Sequence, residues 1–180
     1  MVRNFDELLQ QALTCKGKRV VVVFPGNIET LQAVYDASDR NLARFILIGD
    51  EEIINRKLGE MGETRKPFEI IHRPKMTDAL KTSIEYVKDG KCDVLMKGAV
   101  DTSTLMKAVL QDDSGIKTGR LLTDIFILEF PQRPDNKFVL ITDGGMTLAP
   151  DLKNKVELIN NAVEVAHALG NLNPKVAVLS

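Results

Sequence analysis

Apolar and polar positions along this chain follow two rhythms that trade places repeatedly. Asn4 to Thr14 has the helical period, with Asn4 as a possible N-cap and Glu7 three positions later, the spacing of a capping box. Arg19 to Phe24 (RVVVVF) is a β-branched apolar run, the mark of a strand buried on both faces. Pro25-Gly26-Asn27 breaks it, and a helix is expected from Ile28 to Ala37. The next strand is Arg44 to Ile48, followed by Gly49-Asp50 and a helix from Glu51 to about Leu58. Phe68 to Ile71 reads as a short strand, and Thr77 to Val87 as a helix capped by Thr77. Asp93 to Met96 and Leu105 to Leu110 form another strand–helix unit. This βαβα alternation predicts an α/β fold: a mostly parallel sheet with helices on both faces and right-handed crossovers.

The rhythm changes after Gly119. Leu121 to Phe130 and Lys137 to Thr142 are strand-like, and the turn-rich Pro131 to Asn136 between them is too short for a crossover helix. They predict an antiparallel hairpin beside the parallel strands. A long helix follows from about Leu152 to Leu169, with Leu152, Val156, Ile159, Val163, Ala166 and Leu169 as its apolar stripe. Gly170 is the expected stop, and Lys175 to Leu179 reads as a last strand. The pattern divides into an α/β domain over 1–120 and the start of a second over 121–180.

Bulk properties exclude some roles. Charged residues are 27% and apolar residues 44% of the 180 positions, ordinary for a soluble globular chain. A formal net charge of −1 gives no electrostatic support to a nucleic-acid or membrane-surface role. No apolar run reaches bilayer length, and MVRNFDELLQQ lacks the apolar core of a signal peptide. Cys15 and Cys92 form no metal pattern, so two free thiols in a reducing, cytoplasmic setting are expected.

Candidate chemistry gathers at strand ends. The stretch DVLMKGAVDTSTLMKAVL places Lys97, Gly98, Thr102, Ser103 and Thr104 between a strand and a helix N-terminus. In an open α/β sheet ligands bind at the carboxyl ends of strands, and a helix N-terminus suits an oxyanion. Lys97 and Gly98 read equally as a phosphate ligand with a close-approach glycine or as a surface lysine beside a turn. For the hydroxyls, N-capping by Asp101 or Thr102 is the simpler reading of spacing alone. Asp143-Gly144-Gly145 also divides, with a tight turn the simpler reading and a ligand-orienting or proton-accepting carboxylate the other. Arg120 offers a guanidinium suited to bidentate phosphate binding, or is simply solvated. His167, near the end of the long helix, suits a charge–dipole role better than catalysis. No Walker A, GxGxxG, GxSxG or HExxH motif is present.

Four segments in order, DVLMKGAVDTSTLMKAVL, GIKTGRLLTDIFILEF, TDGGMTLAPDL and NAVEVAHALGNLNPKVAVLS, resemble the phosphate acetyl/butyryltransferase family, its butyryltransferase branch most closely. They cover roughly the second half of the chain. The resemblance implies an isocitrate/isopropylmalate dehydrogenase-like architecture. It implies reversible transfer of a short acyl group, butyryl first and acetyl next, between CoA as substrate and inorganic phosphate. No tightly bound cofactor or metal, no nucleic-acid or membrane partner, and a homodimer or larger homo-oligomer are expected with it. By motif match, Lys107 lies where acetyl-preferring relatives often carry arginine, and Thr123 where relatives often carry serine. Asp143 matches the aspartate of a DxxxN turn whose asparagine is Thr147 here. Ser180 begins a polar loop that family chains continue well past, so the chain looks like the family's N-terminal portion. The alternative class is a noncatalytic CoA- or phosphate-binding module. A dehydrogenase of the related architecture is a third, disfavoured reading.

Overall fold

A computed structural model describes residues 1–15, 17–64, 67–133 and 137–179. The chain forms two compact units: Leu13–Thr118, and Met1–Ala12 together with the chain from Gly119 onward.

The first unit holds β1 (Arg19–Val23), α2 (Ile28–Asp39), β2 (Arg44–Gly49), α3 (Glu51–Glu60), β3 (Glu69–His72), α4 (Met76–Lys88), β4 (Val94–Lys97) and α5 (Thr102–Val109), after the end of α1 (Phe5–Thr14). Its four strands are parallel, in the order β3-β2-β1-β4. Val21, Val22 and Val23 of the central strand are all 0% exposed, which explains its unbroken β-branched run. Alternate side chains point to opposite faces. Val20 and Val22 pack with Leu31, Val34 and Tyr35 of α2 and with Ile54 and Leu58 of α3. Val21 packs with Ala79 of α4, and Val23 with Leu80 of α4 and Leu105 of α5. One pair of helices therefore covers each face.

Local signals fix most boundaries. Glu7 N donates to Asn4 Oδ1 at 2.8 Å, the first half of the capping box that the spacing predicts, while Glu7 Oε2 accepts from Arg3 N at 2.9 Å, one residue before the cap. Asn27 caps α2 by accepting from Thr30 N, and Asp50 caps α3 by accepting from Glu52 N and Ile53 N. Thr77 does not cap α4. Lys75 occupies that position without a side-chain bond, and the helix begins at Met76. The earlier start lets Met76 pack against the Val23–Leu80–Leu105 cluster, burial that a start after Thr77 would forfeit.

The second unit holds β5 (Phe126–Leu128), β6 (Val139–Ile141) and α6 (Leu152–Ala168). The strands pair antiparallel with Ile127 opposite Leu140, as the short connection requires. Residues 134–136 of that connection lie outside the described residues. The hairpin forms a sheet of its own and does not extend the parallel sheet. Each strand spans three residues, because without a flanking strand most of the two apolar runs has no ladder partner.

Two further expectations are corrected here. Lys175 to Leu179 forms no strand; Val176 and Val178 are 54% and 61% exposed and no described backbone pairs with them. In α6 the buried residues are Leu158 and Ala166, while Leu152 and Val156 are exposed. The face that packs is rotated from the expected stripe towards Leu158. The helix ends as predicted: Gly170 has φ +82°, its N–H bonds His167 O at 2.8 Å, and Asn171 N bonds Ala166 O at 2.9 Å. Residues of α1 complete this unit, with Phe5 and Phe138 ring centroids 5.1 Å apart and Phe5 N donating to Glu129 Oε2 at 2.7 Å.

Candidate functional site

The chain lays down β1, β2 and β3 outward in one direction, then returns to the other side of β1 with β4. The loops after β1 and β4 consequently lead to opposite faces of the sheet. This is a topological switch point, the place where open α/β sheets bind ligands. The carboxyl ends of β1 and β4 lie side by side with Val23 opposite Lys97.

The floor of this crevice is backbone. Gly98 N donates to Val23 O at 2.9 Å and Ala99 N to Phe24 O at 2.8 Å, carrying the ladder beyond the strand ends. A Cβ on Gly98 would lie 2.6 Å from both Val23 O and Phe24 O. Gly98 thus meets the neighbouring strand on its Cα hydrogens, and the glycine keeps the floor low. Phe24 has φ +52°, a backbone region that bulky L-residues seldom enter. It is pinned there: Phe24 N bonds Ile48 O at 2.7 Å, and Phe24 O accepts from Gly26 N and Ala99 N, both at 2.8 Å. Sequence reading missed Phe24, since two of the three bonds that hold it come from distant residues and leave no local signature.

Above this floor, Lys97 Nζ donates to Val100 O at 3.0 Å and to Gly98 O at 3.4 Å. The ammonium is drawn over its own loop and keeps one N–H for another acceptor. Asp101 stands at the N-cap of α5 but makes no side-chain cap bond, and Thr102 lies inside the helix. Capping by Asp101 or Thr102, the simpler reading of the spacing, is therefore not what these residues do. Leu105 N bonds Asp101 O at 3.0 Å, which leaves the amides of Thr102, Ser103 and Thr104 without an intrahelical acceptor. The hydroxyls of Thr102, Ser103 and Thr104 make no hydrogen bond among the described residues. Lys107 is exposed, one turn from Ser103 and Thr104, and its Cα–Cβ bond tilts towards that end of the helix. Asp101 is the acid of this loop, and its exposure leaves it screened by water and salt.

The remaining predicted residues belong to the other unit. Arg120 makes a bidentate pair with Glu164 of α6, Nη2 to Oε1 at 2.8 Å and Nη1 to Oε2 at 3.3 Å, and also donates to Asn161 Oδ1. The Glu164 carboxylate beside it holds the Arg120 pKa above its ordinary value. Asn161 Nδ2 donates to Leu121 O at 3.0 Å and to Thr123 Oγ1 at 3.4 Å. Gly119, Arg120, Glu157, Asn160 and Asn161 line an open groove of about 180 Å³. That is less than the roughly 300 Å³ where small-molecule pockets begin. Asn161 and Glu164 carry no sequence motif; their partners lie some forty residues away. Ser180 lies outside the described residues.

Asp143 has a companion that the sequence reading passed over. Gly144 N donates to Asp124 Oδ1 at 2.7 Å and Met146 N to Asp143 Oδ1 at 3.1 Å, while Thr142 Oγ1 donates to Asp124 O at 2.8 Å. Asp143 Oδ2 is buried and has no hydrogen-bond partner among the described residues. Burial pushes the Asp143 carboxyl up, but hydrogen bonds from Asp124, Thr147 and the Met146 amide outweigh it and hold its pKa down to about 2. The bond to Asp143 pushes Asp124 up, against the pull of the Gly144 amide. The signal available in sequence was a carboxylate inside the apolar run LLTDIFILEF.

These shifts make stability depend on pH. The depressed Asp143 contributes stability above the ordinary aspartate range, lost as pH falls towards about 2. The raised Asp124 contributes below its ordinary value, and that share is lost as pH rises through its folded pKa. Asp124→Asn keeps an oxygen for the Gly144 amide and removes the raised carboxyl. The share of stability that is lost as pH rises should therefore be absent from Asp124→Asn, as thermal melts of both proteins across a range of pH would show.

Comparison with known proteins sets these features in a family. Residues 71–180 match the phosphate acetyl/butaryl transferase family model. The chain is 34% identical over 178 residues to a phosphate butyryltransferase of Clostridium acetobutylicum, covering 98% of this chain and 58% of that protein. It is 35% identical over 175 residues to a phosphate acetyltransferase of Thermotoga maritima, covering 97% and 58%. The fold is that of a phosphotransacetylase from Streptococcus pyogenes, with a TM-score of 0.79 over 100% of this chain and 62% of that one at 18% identity. The chain thus spans a little over half the length of these curated relatives.

Proposed function

Because this chain belongs to the phosphate acetyl/butaryl transferase family, we propose that it takes part in the reversible transfer of a short acyl group between CoA and inorganic phosphate. The observation that carries this reading is the switch-point crevice, where Lys97 and the uncapped start of α5 stand over a backbone floor. Butyryl is the proposed acyl group; with 34% and 35% identity to relatives of either name, similarity alone does not separate it from acetyl.

In the acyl-phosphate-forming direction a phosphate oxygen attacks the thioester carbonyl carbon, the C–S bond breaks and CoA leaves as a thiolate. Negative charge gathers on the carbonyl oxygen and the phosphate, so catalysis rests on placing donors there in advance. The amides and hydroxyls of Thr102, Ser103 and Thr104 bind phosphate oxygens at the positive end of α5. Lys97 turns its free N–H to the phosphate, Lys107 adds charge from one turn along, and Gly98 keeps the floor clear. In the other unit, Arg120 and Thr123 are assigned to substrate binding, and Arg120 must release Glu164 to take an anion. The Ser180 hydroxyl is a further proposed ligand. Asp143 is the proposed acceptor of the CoA thiol proton in the reverse direction. CoA is a substrate here and not a resident cofactor. The reading extends to a homo-oligomer in the cytoplasm.

Free-thiol release from butyryl-CoA, with and without phosphate, tests the reading. Phosphate-dependent release is expected. CoA binding without any release would instead favour a noncatalytic binding module.

A further inference from the structure

We infer that Asn161 of α6 is a positioning residue for substrate binding: it fixes the segment that carries Arg120 and Thr123 and turns the Thr123 hydroxyl hydrogen towards a substrate oxygen. The inference rests on the acyl-transfer reading above, which assigns Arg120 and Thr123 to substrate binding. Residues 119–125 form neither helix nor strand, so their backbone groups need partners from elsewhere. One face of α6 provides them. Glu157, Asn161 and Glu164 follow one another at steps of four and three, which stacks them along the helix. Glu157 Oε2 accepts from Leu121 N at 2.8 Å, and Asn161 Nδ2 donates to Leu121 O at 3.0 Å. Two side chains one turn apart thus satisfy both polar groups of one residue, as a neighbouring strand would.

The Asn161 amide is engaged at both ends. Its Oδ1 accepts from Arg120 Nη2, and its Nδ2 hydrogens go to Leu121 O and to Thr123 Oγ1, the latter at 3.4 Å. A guanidinium only donates and a carbonyl only accepts, so the amide has one orientation here. Thr123 Oγ1 receives a hydrogen from Asn161, and its own O–H points away from that side. This O–H has no acceptor among the described residues, on a side chain that is only half-buried. Asn161 also lines the open groove with Gly119, Arg120, Glu157 and Asn160, so the groove wall and Thr123 share one support. Arg120 and Glu164 are both exposed, and an ion pair of that kind is held weakly. When a substrate anion takes the place of Glu164, the bond to Asn161 Oδ1 keeps the guanidinium in register.

A double-mutant cycle on the full chain, Asn161→Asp with Thr123→Val, tests this by kinetics with butyryl-CoA and phosphate. Titrations of CoA and of inorganic phosphate, read by ³¹P line width, accompany it on the same proteins. Thr123→Val should lower kcat/KM by about tenfold or more, and Thr123→Ser, which keeps the hydroxyl, should retain most of the activity. Asn161→Asp keeps an oxygen for Arg120 but offers Thr123 an acceptor, which draws the hydroxyl hydrogen back. Its loss should be similar, and the double variant should lose no more than the worse single variant. The loss should fall mainly on KM for one substrate, the one whose ³¹P broadening both substitutions weaken, which separates CoA from inorganic phosphate. Losses that multiply in the double variant would show Asn161 acting independently of Thr123 and overturn the inference. So would Thr123→Val with kinetics and both titrations unchanged, even where Asn161→Asp failed to fold. No turnover by the unsubstituted protein, with ligand binding that the two substitutions weaken non-additively, would overturn the acyl-transfer reading and leave the positioning role standing. Neither turnover nor binding of either ligand would overturn both.

Discussion

Gly98→Ala should destabilise the four-stranded unit by roughly 2–3 kcal/mol or more, the range for forcing a group into filled space. The new methyl carbon would meet Val23 O and Phe24 O at 2.6 Å and Phe24 C at 2.9 Å. These are backbone atoms that cannot swing aside. Val23 O already accepts from Gly98 N, and Phe24 O from Gly26 N and Ala99 N. Relief requires β4 to separate from β1, which opens the ladder and exposes part of the Val23–Leu105 cluster. Urea unfolding would show a lower midpoint. Gly59→Ala is the matched control. Gly59 lies inside α3 with nothing within 4 Å of the added carbon, and alanine there should stabilise by about 0.5–1 kcal/mol. Equal midpoints for the two variants would contradict the account of the crevice floor.

Lys97→Gln should reduce phosphate-dependent thiol release by about 10²-fold or more, the loss typical of removing one preorganised donor to developing charge. Lys97→Arg should not restore it. The ammonium reaches back over its own loop to Val100 O at 3.0 Å, and a planar guanidinium fork cannot keep that geometry while offering a single donor upward. Because its bonds run to loop carbonyls and not into the core, the substitution should leave the melting temperature nearly unchanged. A variant that lost activity together with its fold would point to a structural lysine.

Much of the sheet was legible because its signals are local. The run RVVVV has no polar face to turn to solvent, so burial on both sides was its one stable outcome. Asn4 with Glu7 and Gly170 marked helix ends through bonds within a few residues. Errors arose where a distant partner decides. Lys175 to Leu179 has strand propensity, but propensity supplies no ladder, and none of the described backbone pairs with it. The α6 stripe was drawn from apolar spacing alone, whereas packing in the second unit selects Leu158. Thr77 has the chemistry of a cap, yet burial of Met76 moved the helix start.

The candidate site divides in the same way. Lys97 to Thr104 could be read as a strand–loop–helix with oxyanion chemistry because the residues are contiguous. The switch point that gives the loop its importance depends on strand order, which alternation does not reveal. Phe24 and Asp124 were invisible for a related reason. Each owes its role to partners some twenty or more residues away, Ile48 and Ala99 for Phe24, Gly144 for Asp124.

The central claim is that the end of β4 and the start of α5 bind phosphate. Its most direct test is a titration of inorganic phosphate with this chain, read by ³¹P line width, for the unsubstituted protein and for Lys97→Gln. Saturable broadening that Lys97→Gln abolishes, with both proteins folded, is the predicted result. Equal broadening by the two proteins would contradict it.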